Sequence, residues 1–306
     1  MKILVTGGAG FIGSNIVDAY IEAGHEVAVV DNLTTGKREN LNPKAKFFEG
    51  DIRDNQGLSG VIREFSPEIV NHLAAQIDVR KSVEDPVYNA QVNEIGTLNL
   101  LAAAVKAKVN KIIFSSTGGA LYGEITKKGG ADENHPLEPI SPYAITKRSA
   151  ELYLHAYHIN AGLNYTVLRY GNVYGPRQDP LGEAGVIAIF CGRMLKGEKC
   201  TIYGDGQQLR DYSYVGDIAA VNLLVLDKGN NQTYNVGTGR GTSVSELYAC
   251  LKDLLKFDQD AVYAPARTGE LFRSVLSCRK IKKELAWKPK VSMKKGLKLT
   301  LKWYKT

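Results

Sequence analysis

The sequence predicts an α/β fold: a doubly wound parallel sheet with a smaller mixed lobe attached. Three observations predict it. Short β-branched runs alternate with longer helical patterns through the first half of the chain. The first of these runs passes directly into a glycine-rich turn that opens a helix. Beyond Arg169 the alternation gives way to a cluster of Gly and Pro and a loop-rich stretch.

Residues 3–6, 27–31, 47–49, 69–72, 112–115 and 165–169 read as strands, and 12–23, 58–65, 88–107 and 143–161 read as helices. The stretch from Gly171 to about Tyr212 reads as loop-rich. A helical pattern at 215–226 and a strand at 233–235 look like a return to the first layer. The expected division is therefore 1–170, rejoined by 214–236, against a smaller lobe drawn mainly from 171–306.

The 306 residues are 44% hydrophobic, enough for a substantial core, and contain no low-complexity tract. Met1 to Val5 could open a signal peptide, but glycines soon interrupt the apolar run, which reads as the first strand. No apolar stretch approaches the roughly 18–20 residues that span a bilayer. A cytoplasmic protein with no membrane partner is expected. Cys191, Cys200, Cys250 and Cys278 lie far apart with no C-x-x-C, which predicts free thiols and no metal. Charge is uneven: residues 271–306 carry 12 Lys/Arg and one acid, a local +11 within a net +7. Interleaved apolar residues make this the solvated face of amphipathic elements, or else a field that draws in anions. No nucleic-acid motif accompanies it.

The first strand runs into Thr6-Gly7-Gly8-Ala9-Gly10-Phe11-Ile12-Gly13. Gly8, Gly10 and Gly13 fit G-x-G-x-x-G, and Gly7, Gly10 and Gly13 fit a three-residue spacing. Glycine permits the tight turn and lets backbone N–H groups touch a pyrophosphate at the helix N-terminus. Asp31, with Asn32 beside it, ends the second strand, where an acid accepts from both adenosine ribose hydroxyls. A 2′-phosphate would meet like charge there, so NAD is expected over NADP, although Lys37 and Arg38 could reach a phosphate. Asp51 and Ile52 either contact the adenine or form a plain strand-end turn.

Tyr143-Ala144-Ile145-Thr146-Lys147 is a Y-x-x-x-K. Residues four apart share a helix face, so phenol and ammonium can reach one site. A free Tyr, with a pKa near 10, is a poor base at neutral pH. A nearby Lys⁺ and an oxidised nicotinamide both favour the phenolate.

With GGAGFIG, Asp31, HLAAQ (72–76), FSST (114–117), YAITK, LRYGNVYGP (168–176), LRDYSYVGD (209–217) and ARTGE (266–270), the chain resembles the extended short-chain dehydrogenase/reductases along nearly its whole length. Within them it is most similar to the nucleotide-sugar 4-epimerases that act on UDP-glucose and UDP-galactose. The resemblance implies a Rossmann-type sheet, a substrate-binding lobe, tightly held NAD, a UDP-sugar substrate and a homodimer through helices 88–107 and 143–161. It implies that Tyr143 is the base, Lys147 tunes it and holds the nicotinamide ribose, and Thr117 hydrogen-bonds the reacting hydroxyl. Leu73, Ala74, Ala75, Ser115 and Tyr170 join the cofactor site by the same resemblance. Asn172, Arg210, Arg267 and Glu270 match positions that hold the UDP-sugar. Ser274, four residues after Glu270, matches a position bordering the sugar, where a small residue goes with N-acetylhexosamines.

One position departs from the pattern: Ile77 stands where some epimerases place a Lys near the cofactor. Sugar 4,6-dehydratases carry Asp-Glu after the Ser/Thr, and this chain has Gly118-Gly119 there. A UDP-glucuronate 4-epimerase is the alternative activity, since Arg or Lys near the sugar could hold a carboxylate. A non-catalytic NAD-binding sensor is the alternative of another class, expected to lack the Tyr or the Lys.

Overall fold

Along β1 (Lys2–Thr6) side chains alternate between two apolar layers, Ile3 and Val5 entering one and Leu4 the other. A strand buried on both faces needs helices on both sides, and the chain provides them. The structure is a computed structural model that describes residues 1–180, 185–267 and 269–305.

After β1 come α1 (Phe11–Glu22), β2 (Glu26–Asp31), β3 (Lys46–Glu49), α2 (Asn55–Phe65), β4 (Ile69–His72), α3 (Val79–Glu84), α4 (Pro86–Ala90), α5 (Gly96–Lys106), β5 (Lys111–Thr117), α6 (Pro142–Ala161) and β6 (Asn164–Tyr170). The second half holds β7 (Asn172–Tyr174), α7 (Val186–Leu195), β8 (Thr201–Tyr203), β9 (Leu209–Arg210), β10 (Tyr212–Tyr214), α8 (Val215–Leu224), β11 (Gln232–Val236), β12 (Thr242–Ser243), α9 (Val244–Leu255), β13 (Val262–Ala264), β14 (Arg273–Ser274), α10 (Arg279–Leu285) and α11 (Met293–Tyr304).

The central sheet runs β11-β6-β5-β4-β1-β2-β3, every pairing parallel. One face packs on α1 and α8 through Ile16, Val17, Tyr20, Ile218 and Val221. The other packs on α2, α5 and α6 through Leu58, Ile62, Leu100, Leu101, Ala150 and Leu154. Strand order reverses between β1 and β4, so a crevice opens beyond their carboxyl ends, where such sheets bind ligands. A buried ion pair fastens α6 to the sheet: the Glu151 carboxylate accepts from Arg169 Nη2 at 2.6 Å, Arg169 Nε at 2.9 Å and Ser116 Oγ at 2.7 Å.

The smaller lobe has its own core, including Phe190, Met194, Ile202, Leu247, Leu251 and Leu297. It reaches the site through β7, which pairs parallel with β10, and through β9, which lies between β12 and β14. No helix among the described residues is long and apolar enough to cross a membrane.

Two expectations need correction. The helix expected at 88–107 is α4 and α5 joined by a π-turn at Gln91–Ile95. Inside that turn Asn93 takes the Gln76 N–H on its Oδ1 at 2.8 Å and donates through Nδ2 to the Gln76 carbonyl at 3.0 Å. The loop-rich reading of 171–212 misses α7, whose apolar residues surround the helix instead of forming a stripe. It also misses β7, because the flanking Gly171 and Gly175 disguise a short buried strand.

Candidate active site

The glycine turn folds by close approach. Gly7 has φ +73°, and a Cβ there would lie 2.7 Å from the Ala74 nitrogen. A Cβ at Gly13 would lie 2.2 Å from the Gly7 carbonyl oxygen. The loops after β1 and β4 therefore meet backbone to backbone. No side chain caps α1, whose N-cap is Gly10, so its first N–H groups are left for an anionic ligand. Beneath this contact His72 bridges two hydroxyls, Thr6 Oγ1 at 2.7 Å and Thr97 Oγ1 at 3.0 Å. Burial lowers its pKa to about 3 and keeps it neutral.

Asp31 is buried at the end of β2. Its Oδ2 accepts the Ala9 N–H at 3.0 Å and its Oδ1 the Leu33 N–H at 2.8 Å. Desolvation raises its pKa, and these hydrogen bonds oppose the rise. Both cations that could reach a 2′-phosphate are paired: Lys37 with Asp179 at 3.1 Å, and Arg38 with Glu49. Asp51 is held at a pKa of about 2, chiefly by its hydrogen bonds from Arg53. Asn32 also donates to it, at 2.9 Å.

In the middle of the crevice α6 delivers Tyr143 and Lys147. Ser141 caps the helix and Pro142 takes its first turn. The Thr117 hydroxyl, at the end of β5, favours the ionised form of the Tyr143 phenol. Burial still pushes that phenol up to about 12, the Thr117 contact offsetting only part. Burial likewise lowers Lys147 to about 8, against the opposing pull of Glu151. The Lys147 ammonium donates to the Ser115 carbonyl at 2.9 Å and sits 4.8 Å from the Phe114 ring centre. In the ligand-free protein, then, burial outweighs the effect expected of Lys147 on the phenol. Tyr170 closes the floor, accepting from Ser115 Oγ at 3.2 Å and Asn222 Nδ2 at 2.8 Å.

A single cleft of about 1240 Å³ joins these parts. Gly7, Gly10, Phe11, Ile12, Gly13, Asp31, Asn32, Asp51, Ile52, Leu73, Ala74 and Ala75 line one end, and Ser115, Thr117, Tyr143, Lys147 and Tyr170 the middle. Asn172, Arg210, Arg267 and Glu270 line the other end. There Arg210 Nη2 pairs with Glu270 Oε1 at 3.2 Å, and the Arg267 guanidinium lies 4.0 Å from the Tyr203 ring centre. Thr268, between Arg267 and Glu270, lies outside the described residues. The glycine cradle, the uncapped α1 terminus and the buried Asp31 fit a dinucleotide.

Ser274 is the exception. It lies in β14, 3% exposed, its hydroxyl donating to the Gly119 carbonyl at 3.5 Å, and it does not line the cleft. It sits one layer behind Gly119, where a Cβ would be 3.6 Å from Asn172 Oδ1 and 3.8 Å from Thr117 Oγ1.

The sequence reading missed part of the lining. Thr34, Thr35 and Gly36 follow β2, and their position beyond a strand's carboxyl end was the signal available. Ile77 does line the cleft, and so does Lys81, four residues on. The α7 segment contributes Val186, Ile187, Ile189, Phe190 and Arg193, which no motif announced.

The model of the NAD dependent epimerase/dehydratase family matches residues 3–237. Three solved structures are similar over nearly all of this chain. The UDP-glucose 4-epimerase of Thermotoga maritima with UDP-glucose is 52% identical with a TM-score of 0.98, covering 100% of this chain and 99% of that one. The UDP-glucose 4-epimerase of Thermus thermophilus in complex with NAD is 48% identical with a TM-score of 0.95, covering 100% and 99%. The UDP-N-acetylglucosamine 4-epimerase of Methanobrevibacter ruminantium in complex with UDP-N-acetylmuramic acid is 38% identical with a TM-score of 0.93, covering 99% and 97%.

Proposed function

The chain belongs to the NAD-dependent epimerase/dehydratase family, and on that premise we propose that it is a UDP-sugar 4-epimerase. It interconverts UDP-glucose and UDP-galactose, and also their N-acetyl counterparts. One observation carries the reading: Thr117, Tyr143 and Lys147 meet in one cleft, between a dinucleotide cradle and the Arg210–Arg267–Glu270 group. Gly118 and Gly119 follow Thr117, so no acid and base stand there to remove water from the sugar. The non-catalytic reading loses its ground, because all three groups are present and assembled.

NAD held in this cleft would supply a hydride acceptor for C4 of the sugar, and return of the hydride to the opposite face would leave C4 inverted. Tyr143 takes the proton of the 4-hydroxyl and later gives it back. A phenol at about 12 becomes a workable base only beside positive charge, so Tyr143 is tuned by the cation of the loaded site together with Lys147. Thr117 fixes the direction of the hydroxyl. Arg210 and Arg267 offer forked donors to a diphosphate, and Glu270 accepts from ribose hydroxyls. Holding the nucleotide end firmly leaves the sugar free to turn over.

The N-acetyl activity is supported by the small side chain at Ser274. A larger one would press on Gly119, beside which Thr117 and Asn172 line the cleft. A homodimer is supported by exposed apolar side chains on the outer helices: Val83, Val87, Ile95, Ile145, Leu152 and Ile159. Such a face is covered by a second copy through a two-fold contact. UDP-galactose as substrate supports a place in galactose metabolism, in the cytoplasm, where UDP-sugars and NAD are available.

A panel of UDP-galactose, UDP-N-acetylgalactosamine and UDP-glucuronate tests the reading. Turnover of the first two and not the third is expected. Turnover of UDP-glucuronate alone would replace this reading with the uronate one.

A further inference from the structure

Segment 175–179 leaves β7 and runs along the cleft, contributing Arg177, Gln178 and Asp179 to its lining. Three contacts tie it to the cradle side. Asn15 Nδ2 on α1 donates to the Pro176 carbonyl at 3.3 Å. Arg177 Nη2 pairs with Asp18 Oδ2, also on α1, at 2.7 Å. Lys37, beyond β2, pairs with Asp179 at 3.1 Å. The segment thus bridges from the substrate lobe to both α1 and the β2–β3 loop.

The two ion pairs are not equal. Lys37 and Asp179 are 47% and 40% exposed, so water and salt screen them. Arg177 and Asp18 are 25% and 26% exposed, and Asn42 Nδ2 holds Asp18 from behind at 2.8 Å. Arg177 also has φ +72°, a left-handed conformation unfavourable for a long side chain such as Arg. Such strain persists where the surroundings over-determine it. Its Nη1 is buried with no partner among the described residues. Without Asp18 the guanidinium would be a poorly compensated cation, and the segment would swing outward to hydrate it.

We propose that Arg177 is a cofactor-retaining residue: its ion pair with Asp18 holds segment 175–179 across the cleft as a strap and slows the exchange of NAD. The proposal rests on the NAD-dependent reading above. A dinucleotide lying from the α1 terminus to Asp31 occupies the space between the two walls that the strap joins. The strap opens and closes without touching the reacting atoms, so its effect falls on release of the dinucleotide.

The test is the dissociation rate of labelled NAD from the loaded protein, chased with unlabelled NAD. Arg177→Asn is the informative variant, because Asn tolerates the left-handed backbone and carries no charge. It speeds release roughly 30-fold or more, as expected when one partner of a largely buried charge pair is removed. Asp18→Asn does the same, and the double variant is no faster than either single one. The melting midpoint of the ligand-free protein falls no further in the double variant than in either single one, and release is timed well below that midpoint, which separates retention from general unfolding. Wild-type release rates in both single variants, or additive effects in the double one, would overturn the proposal. If a single variant does not fold, the exchanged pair Asp18→Arg with Arg177→Asp decides: slow release supports the strap and fast release overturns it. Wild-type protein that retains no NAD would overturn the cofactor reading itself, and the strap with it.

Discussion

A methyl group added at Gly13 tests the cradle by distance alone. Its Cβ would stand 2.2 Å from the Gly7 carbonyl oxygen, and real Cβ atoms essentially never come closer than 3.0 Å. The start of α1 and the turn after β1 must then separate by about 0.8 Å, and overpacking of this kind costs about 1–3 kcal/mol. The atoms that move carry the N–H groups offered to the pyrophosphate, so the cost falls on NAD binding as well as on folding. If all of it appears in binding, affinity falls roughly 5- to 140-fold. Titration calorimetry with NAD on stripped Gly13→Ala protein reads this, with circular dichroism to show that the helices persist. Gly24→Ala is the control. Gly24 has φ +83° but nothing within 4 Å of an added Cβ. It should lose about 1–2 kcal/mol of stability to backbone strain and no NAD affinity. Wild-type NAD affinity in folded Gly13→Ala would refute the reasoning.

Other substitutions separate the remaining roles. Tyr143→Phe should lower turnover by about 10²–10⁴-fold while NAD binding is kept, and normal turnover in the folded variant would remove Tyr143 as the base. The pH dependence carries a sign. In the ligand-free protein the phenol titrates at about 12, so wild type and Tyr143→Phe should show equal phenolate absorbance up to about pH 10. NAD should lower that pKa, bringing out a phenolate difference and a rate that rises with pH through it; no shift on loading would contradict the tuning. Asp31→Ala should narrow the preference for NAD over NADP, and equal affinities already in the stripped wild-type protein would refute the role of Asp31. Ser274→Tyr should impair the N-acetylated substrate far more than the plain hexose, and equal losses on both would show that the residue is not a size gate.

The central sheet was legible because each strand and helix announces itself locally. In β1 the continuous apolar run and the glycine turn lie within a dozen residues, and the same holds for Tyr143 and Lys147 on one face of α6. Contacts that depend on distant segments were not legible. The spacing of Tyr143 and Lys147 gives no hint that the ammonium donates to Ser115, 32 residues away. Ser274 was placed by counting from Glu270, and counting does not reveal that Gly119 lies over it. The α7 wall carries no amphipathic stripe because the smaller lobe buries most of its sides. The pairing of Arg177 with Asp18 exists only once the two lobes meet.

The most direct test of the central claim is to incubate the purified protein with UDP-galactose in D₂O and follow the sugar by NMR. The account predicts UDP-glucose approaching equilibrium, no deuterium at C4 and no net accumulation of NADH, since the hydride that leaves C4 returns to it. Failure to form UDP-glucose, or deuterium appearing at C4, would contradict it.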